Sequence, residues 1–308
     1  MSDKYVIFHI DGGAGKSIMA TAVCTSIKAH YPDHKIVVVT AWPEVFLHNP
    51  DVYRVYKMGN FAYFYEDFVK DKNSVILRLD PYQSGEFINQ SKHLIQIWCE
   101  MFNVPCVSTQ PRLYLTQREL LNAAKIIDKK GPILLMQTHG GAEGGDGYYS
   151  WARDIPQSFA QGLVNISNKA FSKILHIRKE NQPTLEGTVS ITDNLRNLFC
   201  YVYFADKLIL IDSMIQHVAA ALQKPAAVAW IANTPKVFGY QLHHNIGPQQ
   251  KPSYRHLIDS YMEECDWVGR RFYECPYDDI DNIFAQQPFV DYLNSSNLKF
   301  DEMPEKSK

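Results

Sequence analysis

The chain is predicted to be an α/β protein with two parallel sheets built one after the other, and three features of its sequence agree on this. Continuous apolar runs such as Tyr5 to Ile10, Lys35 to Thr40 and Leu208 to Ile211 alternate with helix-length segments, as buried parallel strands with helical crossovers do. The alternation is interrupted once, at Lys129-Lys130-Gly131-Pro132, and then starts again. At 308 residues and 46% hydrophobic content, the chain is long enough to bury two cores.

In the first series, Tyr5 to Ile10 is a strand, Ser17 to Ala29 a helix and Lys35 to Thr40 a second strand. Strands are also expected at Val52 to Tyr56, Val75 to Leu79 and Leu113 to Leu115, with helices at Phe87 to Phe102 and Thr116 to Lys129. Glycine and proline stop that last helix and the two lysines suit its C-terminal end, so the first domain is placed at 1–130. The second series opens with the strand Ile133 to Gln137, a glycine-rich loop from Thr138 to Gly147 and a helix from Pro156 to Asn165. It continues through strands near Ile174 to Ile177 and Thr188 to Ile191, a helix around Asp193 to Phe204 and the strand Leu208 to Ile211. A helix from Met214 to Leu222 and the strand Ala226 to Ile231 complete it. This second domain is placed at 131–285. Residues 286–308 form a C-terminal segment expected to pack back on the first domain, with a frayed polar tail.

No apolar run approaches the roughly 18 residues that cross a bilayer, and the N-terminus lacks the pattern of a signal peptide. The expectation is a cytoplasmic protein without integral membrane contact. Cys24, Cys99, Cys106, Cys200, Cys265 and Cys275 form no C-x-x-C pair and read as reduced structural thiols, so no metal site is expected. A formal charge of -2 with dispersed basic residues does not indicate nucleic acid, although a local basic groove stays open. Asp279-Ile280-Asp281 spells D-x-D, but its acidic helix-start context reads as capping rather than metal binding.

The first strand runs into Asp11-Gly12-Gly13-Ala14-Gly15-Lys16-Ser17 and then a helix, a geometry that suits an anion because small residues expose backbone amides at a helix N-terminus. A P-loop NTPase or kinase using Gly12 to Ser17 is one reading, yet Ile10 stands where that motif needs its first glycine. A tight turn without a ligand and a loop facing a reaction cleft are the others.

The stretch from Gly13 to Tyr56 resembles the N-terminal signature of the heptosyltransferase-like glycosyltransferases, the ninth family of that class. Tyr31-Pro32-Asp33 and Asn49-Pro50-Asp51-Val52 fall in the family's order. A second match, Asp212-Ser213-Met214-Ile215-Gln216-His217 followed by Val218 to Leu222, keeps that family's aspartate-to-histidine spacing at a strand-to-helix turn. Gln137 to Ala142 and Ser150 to Pro156 are loosely similar to two further elements. The resemblance implies a GT-B fold, two Rossmann-like domains facing a central cleft. It also implies inverting, metal-independent transfer from a nucleoside-diphosphate sugar, with no cofactor required, to a hydroxyl of a glycan or other acceptor. Two departures stand out: Lys16 replaces the loop aspartate proposed as the family's base, and Met214 replaces a glycine.

On this reading Asp11, the nearest carboxylate on the loop, is the candidate base, and Gly12, Gly13 and Gly15 form the acceptor-side loop. Lys16 and Arg153 are candidates to neutralise the departing diphosphate. Gly140, Gly141, Asp212, Ser213, Met214 and His217 are the donor-binding candidates, since amides at a helix start grip phosphate. Plainer roles compete: an N-cap for Asp212 or Ser213, a core position for His217, a solvated surface for Arg153 and core packing for the aromatics of Phe61 to Tyr65. A non-catalytic nucleotide-sugar-binding protein is the remaining alternative.

Overall fold

A computed structural model describes residues 3–59, 61–140, 150–253 and 275–295. The first sheet contains β1 (Lys4–Ile10), β2 (Lys35–Thr40), β3 (Val52–Lys57) and β4 (Asn73–Leu77), all parallel, in the order β3-β2-β1-β4. The second contains β5 (Ile133–Gln137), β6 (Lys173–Ile177), β7 (Val189–Ile191), β8 (Lys207–Ile211), β9 (Ala227–Ala229) and β10 (His244–Ile246). It too is parallel, in the order β10-β9-β8-β5-β6-β7. The central strands are apolar on both faces because helices cover both faces, which is why their sequences read as unbroken runs.

Each sheet reverses its winding once. In the first, the chain builds outward from β1 to β3 and then places β4 on the other side of β1; in the second it builds from β5 to β7 and then places β8 on the other side of β5. Such reversals leave a crevice at the carboxyl ends of the two strands that flank them, where α/β folds bind ligands. The crevices fall between β1 and β4 and between β5 and β8.

The helix α1 (Ala14–His30) follows β1, and α8 (Met214–Ala221) follows β8. Both are buried nearly all round, α1 through Ile18, Ala20, Ala22 and Val23, α8 through Ile215, Val218, Ala219 and Ala220, and they pack against each other. Gly15, in the first turn of α1, lets the two helices approach closely at that end. One apolar cluster consequently runs through both sheets, joining Val6 and Phe8 of β1 to Leu208 and Leu210 of β8, with Ile215 and Val218 between them.

The remaining helices of the first half are α2 (Phe64–Phe68), α3 (Gly85–Ile88), α4 (Leu94–Met101) and α5 (Gln117–Ile127). The second half adds α6 (Gln157–Ser167), α7 (Leu195–Phe204) and α9 (Pro235–Phe238), and α10 (Gln287–Asn294) follows. The helix expected over Phe87 to Phe102 is two helices: Gln90 sits at φ 50, and His93 caps a fresh start by accepting from the Ile95 amide. Leu113 to Leu115 pairs with no strand; this stretch is strapped across α1, the Arg112 amide donating to Thr21 Oγ1 at 2.9 Å. α10 packs on the second sheet, not on the first as expected. Phe289 and Tyr292 enter the core of β8 and β9, and Lys207 Nζ donates to the Tyr292 carbonyl at 2.9 Å. Residues 296–308 lie outside the described set. No helix among the described residues is long and apolar enough to cross a membrane.

One arginine adds a polar tie between the halves. Arg196 of α7 donates to Glu119 Oε1 at 2.7 Å and Oε2 at 2.9 Å, and to the carbonyls of Tyr114 and Glu44. Glu119 is itself the N3 residue of the Thr116 capping box that starts α5.

Candidate functional site

The crevice between β1 and β4 is lined by the glycine loop and by the segment leaving β4. Gly12 has φ +100, which a side chain resists, and its carbonyl accepts from Trp42 Nε1 at 3.1 Å. Gly13 is the N-cap of α1, and neither a capping side chain nor an acidic residue satisfies the first amides of that helix. Asp11 is half exposed at the mouth, its Oδ2 3.4 Å from His9 Nδ1.

Lys16 lies deeper. Its side chain is 3% exposed, and its ammonium donates to Asp80 Oδ1 at 2.6 Å, over the rings of Tyr82 and Trp98. Ser17 is fully buried, its hydroxyl 3.2 Å from that of Thr40. A P-loop needs this lysine and serine turned toward a triphosphate and its metal. Here both are committed to protein partners, which removes the physical basis of the NTPase reading.

The second crevice is built by the ends of β5 and β8. Gln137 Nε2 donates to Ser213 Oγ at 3.2 Å, bridging the two strand ends, while Gln137 Oε1 is buried with no hydrogen-bond partner among the described residues. Ser213 is the N-cap of α8 in extended conformation, and its side chain makes no cap bond, as at α1. Asp212 is 6% exposed and accepts from Asn233 Nδ2 at 2.6 Å; burial raises its carboxyl above the ordinary range, and the charge of Arg153 opposes the rise. The amide of Gly140 donates to Asp154 Oδ1 at 2.7 Å, and burial lifts the Asp154 carboxyl to about 6. Gly141, Gly144, Gly145 and Gly147 lie outside the described residues.

The two crevices meet. A Cβ built on Gly15 would stand 3.0 Å from His217 Cδ2 and 3.5 Å from Met214 Cα, so the first turns of α1 and α8 nearly touch. His217 is buried, with Nδ1 2.9 Å from the Tyr240 hydroxyl; burial, then His93, His243 and Arg153, push its ring down to about 3. Tyr82 stacks on Phe87 and meets the edge of Phe238 from the second half. The charges of Arg153, Asp212 and Asp80 all act on its buried hydroxyl.

The structure thus brings Gly15, Met214 and His217 into contact and sets Gly140 beside Arg153 and Asp154, with Asp212 and Ser213 at the turn before α8; Lys16 is buried against Asp80, and Asp11, Gly12 and Gly13 lie on the loop that ends β1. Several expected motif residues serve the scaffold. Asn49 and Asp51 shape the turn before β3, and Thr25 Oγ1 donates to Asp51 Oδ2 at 2.8 Å. Asp279 accepts from the Asn282 amide and side chain in a local turn. Phe61 and Phe64 pack with Tyr56 and Phe68, while Tyr63 and Tyr65 are exposed. Asp80, Tyr82, Asn233 and Tyr240 were missed from sequence. For Asp80 a signal existed: Leu79-Asp80-Pro81 is a carboxylate and a turn at the end of a strand.

Two parallel Rossmann-like sheets whose crevices face one cleft make a GT-B fold. Solved structures agree. The glycosyl transferase family 9 protein from Veillonella parvula aligns with TM-score 0.67 over 94% of this chain and 95% of its own, at 12% identity. The E. coli ADP-heptose LPS heptosyltransferase II aligns at TM-score 0.59, 14% identity, over 78% of this chain and 89% of its own. E. coli heptosyltransferase WaaC with ADP aligns at 0.53, 12% identity, over 75% and 88%. The likeness at these identities is one of fold. No protein-family model and no curated protein matches the sequence.

Proposed function

We propose that the chain transfers a sugar from a nucleoside-diphosphate donor to a hydroxyl acceptor, the donor seated on the 131–285 half and the acceptor on the 1–130 half. The observation that carries this reading is the convergence of the first turns of α1 and α8, whose N-cap residues Gly13 and Ser213 make no side-chain cap bond. Two positive dipole ends brought together repel unless an anion lies between them, and a diphosphate leaving group is such an anion. Gly140, Ser213 and Met214 would present amides to it, Arg153 would balance the charge that develops as it departs, and the unpartnered Gln137 Oε1 would accept from a donor hydroxyl. Asp212 and His217 hold the turn in this reading, and Gly141 extends the loop. Lys16 is too deeply buried to reach a phosphate and acts through Asp80 instead.

With Arg153 and the helix dipoles supplying the positive charge, the reaction needs no metal in this reading. A single displacement, the acceptor oxygen attacking the face of the anomeric carbon opposite the departing diphosphate, would invert that carbon. The solved WaaC structure holds ADP, which supports a nucleotide donor here. A donor of this class is made in the cytoplasm, where we place the protein, and a glycan is the favoured acceptor.

The test is a thermal-shift screen of ADP-, GDP-, UDP-, CDP- and dTDP-sugars and ATP, with and without Mg, followed by nucleoside-diphosphate release from the sugar nucleotide that stabilises most. A metal-independent shift that is lost in Arg153→Ala is expected. A shift by ATP and Mg alone would overturn the reading, and binding without release under any acceptor would leave a non-catalytic binding protein.

A further inference from the structure

The transfer reading requires a group that takes the proton from the acceptor hydroxyl, and the first crevice offers two carboxylates. Asp11 sits on the glycine loop but is 47% exposed and faces His9 at the mouth. Asp80 leaves the end of β4, on the other flank of the same crevice. Its geometry is more confined. Oδ1 accepts from Lys16 Nζ at 2.6 Å and from the Tyr82 amide at 3.0 Å, and Oδ2 takes no hydrogen bond among the described residues. The backbone just before it is held by Trp98, whose Nε1 donates to the Leu79 carbonyl at 3.1 Å.

Exposure falls steeply across the ion pair, from 25% at the Asp80 side chain to 3% at the Lys16 side chain. The carboxylate therefore forms the cleft surface and the ammonium its support. A buried ammonium without a counter-ion is strongly unfavourable, so Lys16 both requires Asp80 and locks its rotamer. Asp80 also accepts from the amide of Tyr82, whose ring meets Phe238 of the second half, so the carboxylate lies next to a residue that touches both halves.

We infer that Asp80 is the base of the transfer reaction and Lys16 its positioning residue, a relocated pair that stands in for a loop carboxylate. This rests on the proposed transfer activity. In the step, the acceptor oxygen attacks the anomeric carbon while its proton passes to Asp80 Oδ2. The new carbon-oxygen bond forms as the bond to the β-phosphate oxygen breaks, and the nucleoside diphosphate leaves with that electron pair. Asp80 ends as a neutral acid and returns the proton to water through its exposed edge.

The test uses the full chain and the sugar nucleotide selected by the thermal-shift screen, with nucleoside-diphosphate release as the readout. Asp80→Asn is expected to lower release about 100-fold, the range a positioned base supplies, while the thermal shift by that sugar nucleotide persists. The loss should exceed that in Asp11→Asn by about tenfold or more, and Asp80→Glu should recover part of it. Should Asp80→Asn unfold because Lys16 loses its partner, the double variant Lys16→Met with Asp80→Asn removes both charges; it is expected to fold, bind and remain inactive. Lys16→Met alone should move the acid limb of the pH-rate profile, which a merely structural lysine would not do. Donor binding with wild-type release in Asp80→Asn, or in the double variant, overturns the inference and leaves the transfer reading standing. A wild-type chain that binds none of the sugar nucleotides and releases nothing sinks both.

Discussion

Gly15 and His217 approach so closely that a single added methyl on the glycine would stand 3.0 Å from the imidazole Cδ2. The imidazole cannot easily retreat, because its Nδ1 is 2.9 Å from the Tyr240 hydroxyl in a buried setting. Gly15→Ala is therefore expected to destabilise by about 1–3 kcal/mol through overpacking. It should also raise the donor KM by separating the two helix starts. Denaturant melts and donor titration check the two effects; an unchanged melt would show that the contact yields freely.

Arg196 and Glu119 set the acid stability of the join between the halves. The Arg196 hydrogen bond, outweighing burial, holds the Glu119 carboxyl at about 2, below its ordinary 4.5. A carboxyl lowered by folding contributes stability that is complete above pH 4.5 and is lost as pH falls from there toward about 2. Glu119→Gln should flatten stability across that window. Arg196→Ala should cost about 3–5 kcal/mol, as when one partner of a largely buried pair is removed. Urea melts at several pH values measure both.

Asp154 carries the opposite sign. Burial lifts its carboxyl from 3.8 to about 6, against the Gly140 amide and the charge of Arg153. The folded state thus holds this proton more tightly, and the group's contribution declines as pH rises from 3.8 to about 6 and is constant beyond. Asp154→Asn, which still accepts from Gly140, should gain thermal stability relative to wild type across that interval. A difference in Tm that does not change with pH would rule this out.

Trp42 presents a partly exposed indole, 37% accessible, pinned by Gly12 on the loop proposed above to face the acceptor. A sugar ring lying on it would bury apolar area against the indole, so Trp42→Ala should raise the acceptor KM about 3- to 10-fold with kcat little altered. Steady-state kinetics against the acceptor distinguish this from a loss of fold.

Much of the fold was legible because burial on both faces writes itself into short sequences: KYVIFHI, KIVVVT and KLILI are apolar whichever way a side chain points. The strand-to-helix turn at Asp212-Ser213 was legible for a related reason, since it directly follows the apolar run of β8. Pairings across long separations were not. Lys16 finds Asp80 64 residues on, and Arg196 finds Glu119 77 residues back, and nothing local to either residue names its partner. Lys16 in a glycine loop reads as a phosphate ligand until the carboxylate above it is seen. The break around Gln90 was missed because the apolar residues on either side, Phe87-Ile88 and Leu94-Ile95, read as one helical run, although Asn89 and Ser91 between them favour caps and turns.

The apolar interior common to Phe8 of β1 and Val218 of α8 has a practical corollary. Cutting the gene near residue 130 to produce each half alone would bare greasy surface on both fragments, and neither should stay in solution unaided. Produced together, the fragments should find each other and restore the whole.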